Sequence, residues 1–261
     1  MPDAKDALYS APYSADSSLK AKLRRRIVRL QHRSPSPTGA GRPLVSFSFD
    51  DAPVSAFRTG ADILEARGVR GTYFVSASLA GTDAGLGVCG DREDMVRVAG
   101  RGHEIACHTF SHLDCGRAAE TVVEADIAHN QEALVGWGLP EPETFAYPYG
   151  DVAAPAKRVA DRRFKLSRAL HHGLIERGSD LNQAPAVGIE GDGGEALAAR
   201  WLDRARARSA WLILFTHGVE AEPSRFGVSA AALVRLVDKA LLDGFEVVTV
   251  AEGARRLRGQ K

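Results

Sequence analysis

From Leu44 to Val250 the chain alternates short apolar runs with longer amphipathic stretches, and this alternation restricts the fold more than any other feature. Runs bounded by turn residues and separated by helix-length segments are the pattern of βα units around a mostly parallel sheet. The spacing predicts strands over Leu44–Phe49, Gly71–Val75, Glu104–Ala106, Thr144–Tyr147, Leu212–Thr216 and Glu246–Val250. Helices are expected over Val54–Arg67, closed by Gly68, and Arg117–Val135, closed by Gly136, because glycine ends a helix at low steric cost. Three more are expected over Asp151–Arg162, Glu195–Arg208 and Ser229–Asp243. A chain of 261 residues holds all of this in one large α/β domain.

The first 43 residues follow a different pattern. Residues 1–18 are polar and small, too poor in apolar surface to order alone. Residues 19–33, LKAKLRRRIVRLQHR, place Leu19, Leu23, Ile27 and Leu30 at helical spacing among seven Lys and Arg, with no acidic residue. This is a basic amphipathic helix, whose stripe would pack on the outside of the following domain or make a peripheral contact with a membrane surface. Residues 34–43, SPSPTGAGRP, read as a linker. The chain is therefore divided into an N-terminal arm, helix and linker over 1–43 and one α/β domain over 44–261.

Bulk properties exclude some partners. With 34 Lys and Arg against 33 Asp and Glu, the formal charge is +1, so no whole-protein field recruits nucleic acid. Cys89, Cys107 and Cys115 are odd in number and lack the spacing of a disulfide framework, which fits a reducing compartment. The N-terminus lacks a secretory pattern and no run of about 18 apolar residues occurs, so a soluble cytoplasmic protein is expected.

Polar residues cluster immediately after the expected strands, where a parallel α/β barrel or sheet gathers its ligand-binding groups. Ser46–Asp51, SFSFDD, ends in two adjacent carboxylates whose side chains diverge, so a metal could take one and leave the other for proton transfer. The plainer alternative is that Asp51 caps the next helix and Asp50 is a turn residue. His108-Thr109-Phe110-Ser111-His112 spaces two imidazoles so that a helical turn or compact loop could present both to one ion. Two histidines and one carboxylate leave coordination positions open, as catalysis requires. The turn in Phe145–Gly150, FAYPYG, could aim a backbone N–H at an oxyanion, and Leu212–Gly218, LILFTHG, delivers His217 to the same end. Cys107 and Cys115 flank the histidines, but free cysteine more often behaves as a small buried hydrophobe. His103 sits at the other end of its strand and reads as structural, and His171 and His172 stay outside the catalytic set.

Together and in this order, SFDD, HTFSH, FAYPYG and LILFTHG resemble the polysaccharide deacetylase family, carbohydrate esterase family 4 or the NodB-homology domain, over roughly residues 44–252. The resemblance implies an α/β fold, a distorted (β/α) barrel of seven strands, and metal-dependent removal of N-acetyl groups from N-acetylhexosamine units of an oligosaccharide, polysaccharide or lipid-linked glycan. By position, Asp50 matches the general base, Asp51, His108 and His112 the metal ligands, Tyr149 the residue whose backbone N–H meets the oxyanion, and His217 the general acid. The implied cofactor is one divalent ion, Zn²⁺ first, with Co²⁺, Ni²⁺ or Mn²⁺ as alternatives. A deformylase or other small-amide hydrolase acting on an amino sugar is the alternative reading, and an inactive carbohydrate-binding protein a further one.

Two departures from the family pattern stand out. The third motif often begins with an Arg beside the base, and the matching residue is Ala146. Because a buried carboxylate without a cation nearby disfavours its charged form, Arg168 in FKLSRAL is expected to supply that cation from another strand. The fourth motif, an Asp and Trp pair, has no clear match, although Trp201 and Trp211 are available. Leu214 is the expected apolar wall for the acetyl methyl group.

Overall fold

The computed structural model describes residues 26–83 and 85–259. The polar arm and the first part of the basic helix, expected over residues 1–25, lie outside the described residues.

Strand β1 (Leu44–Asp50) is followed by a π-helical turn (Ala56–Gly60) running into α1 (Ala61–Glu65). Next come β2 (Thr72–Val75), α2 (Arg92–Gly100), β3 (Glu104–Cys107), α3 (Glu120–Gly136) and β4 (Thr144–Ala146). The turn Pro148–Gly150 leads to α4 (Ala154–Arg163), β5 (Leu166–Arg168), β6 (Val187–Gly188), α5 (Gly194–Arg208) and β7 (Trp211–Thr216). A small pair, β8 (Val219–Glu220) and β9 (Val228–Ser229), precedes α6 (Ala230–Leu242), β10 (Glu246–Val247) and α7 (Val250–Leu257).

Seven parallel strands run in the order β5-β4-β3-β2-β1-β7-β6, with β10 paired to the start of β1. The edges meet through the segment that leads into β6: Ala184 N donates to Ser167 O (2.8 Å), Ala169 N to Ala184 O (2.9 Å) and Ala186 N to His171 O (3.0 Å). The sheet therefore curls into a distorted barrel closed by a few hydrogen bonds. The expected strand Glu246–Val250 stops at Val247, and Val250 starts α7, whose first N–H groups are taken by Thr72 Oγ1 and Glu104 Oε2.

Alternation along each strand sorts side chains between two cores. Val45, Phe47 and Phe49 of β1 and Leu212 and Leu214 of β7 pack outward against the helices, where Tyr73 stacks between Phe49 and Phe57. The inner core contains Leu44, Phe74, Ala106, Ala146, Leu166, Ile213 and Phe215. Leu214, expected to wall the acetyl pocket, thus belongs to the outer, helix-facing core, and Phe215 is the neighbour on the inner side. Trp211 is buried at the opposite end of β7 from His217, its indole N–H bonded to Ser46 Oγ, so it has no place at the mouth.

The N-terminal segment is also placed differently from expectation. Within the expected helix, Ile27 and Leu30 are 46% and 77% exposed, and Val28 is the residue that packs, with its carbonyl held by the buried Lys157. Ser34 and Ser36, in the expected linker, are bonded to the chain at Ser179–Leu181 (Leu181 N to Ser34 O, Ser36 N to Ser179 O), and Ser34 N donates to Asp180. These bonds strap residues 34–36 to the barrel wall. Among the described residues, no helix is long and apolar enough to cross a membrane.

Candidate active site

The same alternation that builds the inner core sends Asp50 inward, in line with Ser46 and Ser48, where it is only 4% exposed. Arg168 shares the inward phase of Leu166 on β5 and is fully buried. Its Nη2 lies 2.5 Å from both carboxylate oxygens of Asp50, and its guanidinium stands 4.9 Å from the Phe74 ring and 5.1 Å from the Phe215 ring. Ala146 and Arg168 are direct neighbours in the β4–β5 register. A small residue at 146 leaves room for a guanidinium from the next strand at the same height. Two aromatic faces offset part of the cost of burying that cation.

Asp51 follows at the end of β1, caps no helix, and turns away from Asp50 at a φ of +50°. The HTFSH segment is a compact loop beyond β3. His108 Nδ1 lies 2.8 Å from the carbonyl of Ala146, a contact that places the ring proton on Nδ1 and leaves Nε2 as an electron-pair donor. That Nε2 is 3.8 Å from Asp51 Oδ1, and His112 Nε2 is 3.4 Å from Asp51 Oδ2. One donor atom from each of Asp51, His108 and His112 lies within 4.8 Å of the others. Asp51 Oδ1 is buried without a hydrogen-bond partner, which fits an unmet need for a cation. Burial pushes the His108 imidazole down to about 3, with the nearby Asp51 charge opposing, so it is neutral as a ligand must be. The residues present therefore fit a divalent ion.

On the other side of Asp51, His217 Nε2 is 3.9 Å from Oδ2, while His217 Nδ1 lies 2.5 Å from Glu190 Oε1 and 3.2 Å from Phe226 O. Burial alone would lower the His217 pKa, but the bond to Glu190 and the charges of Glu190, Asp50 and Asp51 outweigh it and push it up to about 9. Tyr149 lies on the turn after β4, and its ring meets His112 edge-on at 4.5 Å. Gly150 has a φ of +63°, and a Cβ there would come within 2.5 Å of Leu170, so the turn demands glycine.

Asp51, Ala52, Thr109, His112 and Tyr149 all carry positive φ, five of the seven non-glycine residues that do so among those described. Such conformations cost about 1–3 kcal/mol each and collect where function constrains the backbone. The structure thus gathers Asp50, Asp51, His108, His112, Tyr149, Arg168 and His217 at one mouth. Glu190 escaped the sequence analysis, although it too follows an apolar run, Ala184–Ile189, at a strand end. Trp201 contacts His172, and Cys107 and Cys115 are buried, free and outside the ligand cluster. His103 accepts from Gly71 N and faces Glu65, a structural role.

Residues 38–163 match the polysaccharide deacetylase family. A chitooligosaccharide deacetylase of Sinorhizobium fredii is 30% identical over 99 residues, which are 37% of this chain and 42% of that relative, so the match spans less than half of the relative's length. A Mycobacterium smegmatis structure described as a polysaccharide deacetylase superposes with a TM-score of 0.68 at 20% identity, covering 87% of this chain and 95% of that one. A family 4 acetyl xylan esterase of Clostridium thermocellum in complex with a cobalt ion gives a TM-score of 0.57 at 20% identity, covering 84% and 93%. At these identities the structural likeness speaks for the fold, the curled parallel sheet described above. The chain thus matches the polysaccharide deacetylase family over residues 38–163, just under half of its length, and has the same fold as these solved structures.

Proposed function

We propose that the protein is a metal-dependent carbohydrate N-deacetylase that hydrolyses the acetamide of N-acetylhexosamine units and releases acetate. One observation carries this reading: a carboxylate paired with Arg168 and an imidazole held protonated by Glu190 flank the same Asp51, His108 and His112 cluster. A proton acceptor and a proton donor facing each other across one site are what general base and general acid catalysis need.

Asp51, His108 and His112 would hold a divalent ion, zinc first and cobalt, nickel or manganese as alternatives, which supplies Lewis-acid polarisation of the amide carbonyl. Asp50 takes a proton from the water whose oxygen bonds to the acetamide carbon. Arg168 holds Asp50 in place and balances its charge. The backbone N–H of Tyr149 supports the carbonyl oxygen as negative charge develops there. His217 then gives its Nε2 proton to the amide nitrogen as the C–N bond breaks, leaving acetate and a free amine. Glu190 fixes the His217 ring and keeps that proton available. Proton transfer from Asp50 to His217 restores the starting state.

A lipid-linked glycan is one substrate class this reading includes. Exposed Ile27 and Leu30 beside Arg26, Arg29 and Arg33 support a peripheral membrane contact through residues 19–33. The test of the whole reading is acetate release across N-acetylglucosamine oligomers, peptidoglycan fragments and polyprenyl-linked N-acetyl sugars, with Asp50→Asn in parallel. Acetate release that disappears in the variant is expected. Equal activity in the variant would refute the base assignment, and formate release from N-formyl sugars without acetate release would transfer the site to a deformylase.

A further inference from the structure

The loop that carries both ligand histidines is gripped by a helix that provides no ligand. Asp126 on α3 accepts three hydrogen bonds from it: Phe110 N at 2.7 Å, Ser111 N at 3.1 Å and Ser111 Oγ at 2.8 Å. Both residues lie between His108 and His112. One turn further along α3, Asn130 is fully buried. Its Oδ1 accepts from Ala77 N (2.8 Å), and its Nδ2 donates to Val75 O (3.0 Å) and faces Cys107 Sγ at 3.2 Å. Residues four apart share one face of a helix, so α3 fastens the ends of β2 and β3 and the loop beyond them to a single rigid body.

The loop is strained enough to need such a grip. Thr109 has a φ of +62° and His112 of +54°. Its carbonyls are held from the other side, His108 O by Ser76 Oγ (2.8 Å) and Phe110 O by Ser78 Oγ (2.7 Å). Asp126 takes its amides, in the stretch where the chain turns between the two ligands. A carboxylate suits that place because it has no donor and can accept at several positions.

We propose that Asp126 is a positioning residue that preorganises His108 and His112 as a ligand pair. The inference rests on the metal-site reading given under Proposed function. Alanine at 126 leaves the amides of Phe110 and Ser111 without their acceptor and frees the strained loop to relax. Asparagine keeps one oxygen for both amides and can turn its NH₂ toward Ser111 Oγ, so it should restore the grip.

The test is zinc affinity, read by competition between zinc-loaded protein and a chromophoric chelator, together with the visible spectrum of the cobalt-loaded protein. The parent is expected to bind one ion. Asp126→Ala should raise the zinc Kd by about 10–100-fold, the usual effect of removing a group that orients a ligand, and should alter the cobalt spectrum. Asp126→Asn should stay within about threefold of the parent. A parent that binds no metal would overturn the metal-site reading and this inference with it. A parent that binds, alongside Asp126→Ala of unchanged Kd and spectrum, would overturn this inference alone, whatever the melting temperature of the variant. Should Asp126→Ala fail to fold, Ser111→Ala decides: it removes one of the three bonds at a half-buried position, and a Kd no higher than the parent's would refute the proposal.

Discussion

Substituting Glu190 by glutamine separates the charge that holds a proton on His217 from the hydrogen bond that aims it. In the parent, burial opposes a charged imidazole, yet the 2.5 Å contact with Glu190 and the charges of Glu190, Asp50 and Asp51 prevail and push the pKa up to about 9. Glutamine keeps an oxygen at the same reach and cancels the charge. A divalent ion on Asp51 offsets that carboxylate in the loaded protein, which leaves Glu190 as the main support for imidazolium. His217 in Glu190→Gln should therefore fall to its ordinary value of 6.5 or below, because the burial cost remains. An acid with a pKa near 9 is about nine-tenths protonated at about pH 8, and one at 6.5 about 3%, so kcat should drop about 30-fold there. The assay is kcat for acetate release at saturating substrate across roughly pH 5.5–9.5. The basic limb should move acid by at least about 2.5 units, with activity recovering toward about pH 6. A variant profile that superimposes on the parent's would refute the assignment of Glu190 and of His217 as general acid.

Arg168→Ala leaves the buried Asp50 carboxylate without its cation, which should cost about 3–5 kcal/mol of stability in denaturant unfolding and lower kcat at least about tenfold. Unchanged kcat with an unchanged pH profile would show that Asp50 needs no such partner. Leu214→Ala should lose about 2–5 kcal/mol while leaving KM for the acetylated sugar intact, since Leu214 packs in the helix-facing core; a raised KM with parental stability would contradict that placement. In the metal-free protein, burial holds the imidazoles of His103 and His108 down to about 4 and about 3, below the ordinary 6.5. At these two residues the unfolded chain therefore binds more protons below pH 6.5, so their contribution to stability is full above that pH. It should fall by about 1.4 kcal/mol per pH unit for each histidine as the pH drops toward the folded values. Urea melts at about pH 7, 6 and 5 read this directly, and flat midpoints would count against both buried neutral histidines.

Much of the site could be read from the chain because its chemistry sits at strand ends, where a long apolar run stops abruptly at a charged residue. SFSFDD and LILFTHG announce themselves this way. Glu190 follows the same rule but is hard to see, since its strand is two residues long and the segment before it joins β5 through one bridge, Ala184 to Arg168. Arg168 could be anticipated from the gap at Ala146, because a buried carboxylate creates a demand that some strand must meet; the register shows why the adjacent one can. Helices α2 and α7 escaped prediction because they are only nine and eight residues long, too short for periodicity to separate a helix from a turn or a strand. Which side of β7 faces the lumen could not be told from an unbroken apolar run, and Leu214 was accordingly placed on the wrong face. The exposure of Ile27 and Leu30 depends on how Lys157 captures Val28 between them and Asp180 captures Ser34 after them, contacts more than a hundred residues apart in sequence.

The most direct test of the central claim is a metal titration read by acetate release. Protein stripped with a chelator is assayed on N-acetylglucosamine oligomers while zinc or cobalt is added back, alongside His112→Ala. Activity should be absent in the stripped protein, return to a plateau at one ion per chain, and stay absent in His112→Ala at the same metal concentrations. Full acetate release by the stripped protein, unaffected by added metal and retained in His112→Ala, would contradict the account.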